Sequence, residues 1–199
     1  DVDAAGGAAL AGELPGKTVF ERLDVTQEPE WERLIGAIVA RHGRLDVLVN
    51  NAGVAVAGDA LSIQAADLDA AMRLAVHAPL TCSQLAAPHL ERYGCGRIVN
   101  IGSVGGLGTA IGGLAPYAIA KAALNMLTKR LAFELGARRI TVNAICPGLV
   151  DTDMQHDTAA NPGLAALRAD PARFNMLGRI GRPEDIAGAV AFVASDDAA

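Results

Sequence analysis

The sequence predicts an α/β fold, a doubly wound parallel sheet with helices on both faces. Three observations point there. Short apolar runs alternate with longer amphipathic stretches along the whole chain, the signature of right-handed βαβ units. The run at 46–50 reads as a short continuous apolar strand and 97–102 as another buried one, with 140–145 a further strand, as suits parallel strands buried on both faces. Each run ends in small or polar residues, which is where such a sheet binds its ligands.

Taken in order, residues 4–14 read as a helix and 18–23 as a short strand ending at Asp24. The segment Thr26-Gln27-Glu28-Pro29-Glu30 then supplies a helix start, with proline and acids in the first turn. Trp31, Leu34, Ile35, Ile38 and Val39 recur at helical spacing, and Gly43 closes that helix. After the strand at 46–50, residues 64–92 give one long helix, or two joined near Pro79. Strand 97–102, helix 116–136, strand 140–145 and helix 183–195 complete the series. The irregular stretch 151–182 is too long for an ordinary connection and reads as a substrate lid. With 199 residues and no linker, the chain is expected to be a single domain over 1–199.

Composition narrows the function. Hydrophobic residues make up 51% and charged residues 20%, which excludes disorder as the main state. A net charge of −5 and 4% aromatics argue against nucleic acid as a partner. The mean hydropathy of +0.28 calls for a check on membrane spans. The longest charge-free stretch, 98–120, is broken by Asn100, Ser103, Thr109, Pro116 and several glycines, so no membrane helix is expected. No signal peptide is visible at the acidic start. Cys82, Cys95 and Cys146 lack CxxC spacing and the four histidines lack HxH or HExxH spacing, so no metal site is expected.

The strand ends carry the candidate chemistry. They bring Asp24, then Asn50-Asn51-Ala52-Gly53, then Gly102-Ser103, then Cys146-Pro147-Gly148 to one edge of the sheet. Each is an ordinary turn sequence by itself; together they outline one crevice. Tyr117 and Lys121 stand four apart on a predicted helix and share a face. An ammonium beside a phenol favours the phenolate, which makes Tyr117 a candidate general acid/base. Ser103 could hydrogen-bond a carbonyl oxygen. A serine hydrolase is the weaker reading: glycines lie at minus one and plus two from Ser103, and His156 alone follows it.

These strings are similar to those of the short-chain dehydrogenase/reductase family: Asp24-Val25, NNAG at 50–53, IVNIGS at 98–103, YAIAK at 117–121, VNAICPG at 142–148 with Thr152, and GRPEDIAGAVAFVASD at 181–196. The resemblance implies a Rossmann-type sheet, a nicotinamide cofactor and hydride transfer to or from a small alcohol or ketone. It implies Tyr117 as acid/base, Ser103 orienting the carbonyl, and Lys121 lowering the tyrosine pKa and holding the nicotinamide ribose. Asp24 and Val25 would contact the adenine. The turn Asn50-Asn51-Ala52-Gly53 would lie under the adenosine. Pro147, Gly148 and Thr152 would line the carboxamide end. Asp1 resembles the acid that accepts bonds from a free ribose 2′-hydroxyl, which implies NAD in preference to NADP.

The match departs from the family in three places. The first strand with its glycine-rich loop and most of the second strand are missing, and so is the last strand, so the chain reads as truncated at both ends. Ala75 stands where the family has an asparagine that supports a proton relay to the lysine. That departure keeps a second reading open, a non-catalytic protein that senses the cofactor or binds a partner. The resemblance also implies a homodimer or homotetramer, with Leu85, Leu90, Leu124, Leu127 and Leu131 as candidate seam residues, and a cytoplasmic location.

Overall fold

The computed structural model describes all residues except 109–111, 153, 155–167, 174 and 199. Helix α1 (Ala4–Glu13) opens on Asp3, whose carboxylate accepts from the Ala5 and Gly6 amides. Helix α2 (Glu28–His42) has Glu28 and Glu30 at its positive end, and it stops at Gly43, which takes a left-handed φ of 76°. Three parallel strands follow: β1 (Val47–Asn50), β2 (Gly96–Ile101) and β3 (Ile140–Ile145), in spatial order β1-β2-β3. Leu48 sits opposite Ile98, and Ile98 opposite Val142.

That row faces the main core. Leu48, Ile98, Ile140 and Val142 pack with Trp31 and Ile35 of α2, Cys82, Ala86 and Leu90 of α4 (Ala78–Leu90), and Leu131 and Leu135 of α5 (Ala115–Leu135). The alternate residues of the sheet face α6 (Pro183–Ala194), which packs on β2 and β3. Helices therefore cover both faces of the sheet, as a doubly wound fold requires.

The predicted helix 64–92 is built in three parts. Helix α3 (Ala65–Met72) runs into a π-helical turn, Arg73–His77, and then into α4. The Ala78 amide donates to the Arg73 carbonyl, five residues back. Pro79 supplies no amide and its ring crowds the preceding turn, which accounts for the widening here.

Two expectations are corrected. Residues 18–23 form no strand. A strand needs a facing ladder, and the backbone bond found here is a single one, from the Leu23 amide to the Asp1 carbonyl at 3.1 Å. The leucines proposed as a seam face inward instead. Leu90, Leu124 and Leu131 are buried, and Leu85 and Leu127 pack against the core. The outer side of α5 shows Ile119, Met126 and Phe133 at seven-residue spacing, with Phe133 79% exposed.

Of the stretch 151–182, residues 153, 155–167 and 174 lie outside the described residues. Its two ends are joined: Val150 bridges Gly181, and the Asp151 amide donates to the Gly181 carbonyl at 2.9 Å. Among the described residues, no helix is long and apolar enough to cross a membrane.

Candidate active site

The C-terminal ends of the strands open into a cavity of about 580 Å³. Asn51 and Gly53 line it from the turn after β1, Gly102 and Ser103 from the end of β2, and Pro147, Gly148 and Thr152 from beyond β3. Tyr117 and Lys121 enter from α5. Three sequentially distant strand ends therefore converge with helices at the C-terminal edge of the parallel sheet, where such sheets bind ligands.

Two of the three chemical side chains are held by hydrogen bonds. Ser103 begins a 3-10 turn (Val104–Gly106), and its Oγ accepts from the Gly105 amide at 3.1 Å. A hydroxyl carries one proton and two lone pairs, so the Ser103 proton stays available to an incoming oxygen. Lys121 is buried, 6% exposed, and its Nζ donates to the Ile101 carbonyl at 2.6 Å. That bond ties α5 to the end of β2. Burial pushes the Lys121 pKa below the ordinary lysine value, with Cys146 opposing the shift. The ammonium lies 5.8 Å from the centre of the Tyr117 ring. The 3-10 turn meets α5 closely, because a Cβ on Gly106 would fall 2.6 Å from the Lys121 carbonyl carbon.

A buried polar row supports this edge. Asn50 donates to Asn100 at 2.8 Å, Asn100 donates to Thr128 at 2.9 Å, and the Thr128 hydroxyl donates to the Leu124 carbonyl at 2.8 Å. Asn100 is fully buried with its carboxamide bonded on both sides, so the row locks β1 and β2 to α5 without an orphaned group. Asn50 thus points along the sheet, while Asn51 and Gly53 reach the cavity.

The remaining expected residues sit elsewhere. The Asp24 carboxylate accepts from the amide and hydroxyl of Thr26, which hold its pKa below the usual aspartate value. Val25 packs on the core, and its carbonyl accepts from the Trp31 indole. The exposed Asp1 carboxylate accepts from the Asp3 amide. Asp1, Asp24, Val25 and Ala52 are not among the residues lining the cavity. The sequence reading missed the apolar wall formed by Ile186, Ala187, Val190 and Ala191 of α6. Their i, i+4 spacing was the available signal.

The donor set suits a nicotinamide dinucleotide. Gly53 leaves its Cβ position, 3.9 Å from the Lys121 Nζ, empty. Lys121 keeps two ammonium protons beyond the one used by Ile101. Ribose hydroxyls could take those protons, and the gap beside Gly53 gives a sugar room to approach.

Residues 1–199 match the family model described as enoyl-(acyl carrier protein) reductase. The chain is 37% identical over 191 residues to meso-2,3-butanediol dehydrogenase of Serratia marcescens, which covers 95% of this chain and 73% of that protein. It is 34% identical over 184 residues to the 3-oxoacyl-(acyl-carrier-protein) reductase FabG of Thermotoga maritima, covering 92% and 72%. It is 39% identical over 161 residues to the cyclic-di-GMP-binding biofilm dispersal mediator protein of Escherichia coli, covering 81% and 65%. The chain thus spans 65% to 73% of these relatives' own lengths. The match to that model over residues 1–199, these identities and a shared cavity for serine, tyrosine and lysine lead to one conclusion: the chain belongs to the short-chain dehydrogenase/reductase family.

Proposed function

We propose that this chain is the bulk of an NAD(P)-dependent oxidoreductase acting on an alcohol or its carbonyl partner. The observation that carries the proposal is the convergence of Ser103, Tyr117 and Lys121 on one cavity edge. A bound nicotinamide dinucleotide would supply or accept the hydride. Tyr117 gives a proton to the carbonyl oxygen in reduction and takes one from the hydroxyl in oxidation. Ser103 donates a hydrogen bond to the same oxygen and stabilises its developing charge. Lys121, fixed by the Ile101 carbonyl, keeps positive charge near the Tyr117 phenol and offers its other protons to ribose hydroxyls. Pro147, Gly148 and Thr152 shape the carboxamide end.

The adenosine end is assigned to Asp1, Asp24, Val25 and the turn at Asn51, Ala52 and Gly53, on the family match alone. An acid at Asp1 favours a free 2′-hydroxyl over a 2′-phosphate by charge. The wall made by Val150, Ile186 and Val190 supports an apolar or mildly polar substrate, with 151–182 as its lid. A cytoplasmic location follows the family habit. The test is a panel of secondary alcohols and ketones with each cofactor, following nicotinamide absorbance. Turnover with a lower KM for NAD than for NADP is expected. A higher KM for NAD would overturn the role of Asp1.

A second reading keeps the pocket without the chemistry. Ala75, in the π-helical turn, stands where the family relay has asparagine, and one relative is named for binding cyclic-di-GMP. Saturable NADH binding with no turnover on any alcohol or ketone would favour it.

Self-association is assigned to the outer side of α5. Ile119, Met126 and Phe133 place an apolar stripe there, and a matching stripe on a second copy would cover it. Phe133→Glu is expected to lower the sedimentation mass towards the monomer while leaving the helical circular-dichroism signal in place. An unchanged oligomer would remove α5 from the interface.

A further inference from the structure

We propose that Asn125 is the positioning residue that fixes Ser103 against Tyr117 and Lys121, through one carboxamide that joins the middle of α5 to the segments just beyond β2 and β3. The inference rests on the oxidoreductase reading for its effect on rate. Asn125 lies one helical turn beyond Lys121 and is not among the residues lining the cavity, so it acts through its neighbours. Its Nδ2 donates to the Gly106 carbonyl at 3.3 Å, and the Cys146 thiol donates to its Oδ1 at 3.5 Å. The reverse orientation would set the carboxamide oxygen against the Gly106 carbonyl oxygen, so these partners select this one.

The packing is as informative as the bonds. A Cβ on Gly102 would fall 2.8 Å from Asn125 Oδ1 and 2.9 Å from Cys146 Sγ. The carboxamide therefore rests on the backbone immediately before Ser103. On the other side, the Val104 amide donates to the Pro147 carbonyl at 3.0 Å and the Gly102 amide to the Ile145 carbonyl at 2.7 Å. Asn125 thereby joins the Ser103 turn, the Cys146-Pro147-Gly148 edge and the helix that carries Tyr117 and Lys121. An apolar residue of similar size would fill the space. It would leave the Gly106 carbonyl and the Cys146 thiol without these partners and loosen the Gly106 end of the turn, while the Val104 amide would still tie its start to Pro147.

The test uses the full chain with Asn125→Ala and, should that variant unfold, the isosteric Asn125→Asp, which loses the donor to Gly106. Two readouts are taken. Amide hydrogen exchange across 103–108 should speed up in either variant. The kcat should fall about 10- to 100-fold, as expected for reactive groups displaced by around an ångström, with KM and NADH affinity close to the parent's. Cys146→Ser, which keeps a donor to Oδ1, should lose less than Cys146→Ala on both readouts. Unchanged exchange overturns the tether. Faster exchange with unchanged kcat overturns the positioning role, and so does a fall in kcat that only follows a fall in melting temperature. If the parent chain turns over no alcohol or ketone, the oxidoreductase reading fails by itself, and exchange alone then decides the tether.

Discussion

Tyr117→Phe is expected to lower kcat by about 10² to 10⁴, the range that a positioned general acid/base contributes, while NADH binding persists. The substitution removes one oxygen. The ring stays on the first turn of α5, beside Gly105 and 5.8 Å from the Lys121 ammonium. Lys121 keeps its bond to Ile101, so the groups assigned to the ribose are undisturbed. The loss should therefore fall on the chemical step, with kcat and kcat/KM dropping together. Ser103→Ala should act in the same direction, because it removes a donor to the same oxygen without touching the proton-transfer group. Retention of full activity by Tyr117→Phe would sink the mechanism and leave the cavity as a binding site only.

The elements readable from the sequence were those whose residues decide their own state. The runs at 46–50, 97–102 and 140–145 became β1, β2 and β3 within a residue or so, because continuous apolar β-branched segments bounded by turn residues have few other fates. Residues 18–23 carry a similar pattern and form no strand, since a ladder is a property of two segments and among the described residues 18–23 meet a facing backbone only in the Leu23–Asp1 bond. Helical spacing identified α5 without saying which side faces the sheet. Leu124 and Leu131 went to the core, and Ile119, Met126 and Phe133 were left outside.

The candidate site divides in the same way. Ser103, Tyr117 and Lys121 were legible because a strand end and an i, i+4 pair fix positions that backbone geometry alone brings together. Asn50 was not, because strand position says where a side chain starts and not which neighbour it meets. Its partner, Asn100, is fifty residues away across the ladder. Asn125 escaped notice for the same reason: its two partners come from two other segments. The π-helical turn at Arg73–His77 had a signal in Pro79, but that signal announced a break rather than its form.

Gly106→Val is the second substitution with a large expected effect, and it tests the packing rather than the chemistry. A Cβ at Gly106 would meet the Lys121 carbonyl carbon at 2.6 Å, the Ala122 nitrogen at 2.7 Å and the Lys121 oxygen at 2.8 Å. All three atoms belong to the backbone of α5, so no side chain can rotate away. Either the 3-10 turn lifts off the helix or the helix shifts. Overpacking of this kind costs about 1 to 3 kcal/mol, and the displaced turn takes Ser103 with it. Stability and kcat should both fall. Gly106→Ala should show the same direction in smaller measure. Gly36 offers the opposite case in the same molecule. It lies exposed inside α2 with nothing within 4 Å of its Cβ position, so Gly36→Ala should stabilise by about 0.5 to 1 kcal/mol through the helix term alone. Thermal melts of the two variants against the parent should therefore move in opposite directions. A Gly106→Val protein that melts at the parental temperature with parental kcat would mean that the turn and α5 are not in the close contact that sets Ser103 beside Tyr117 and Lys121.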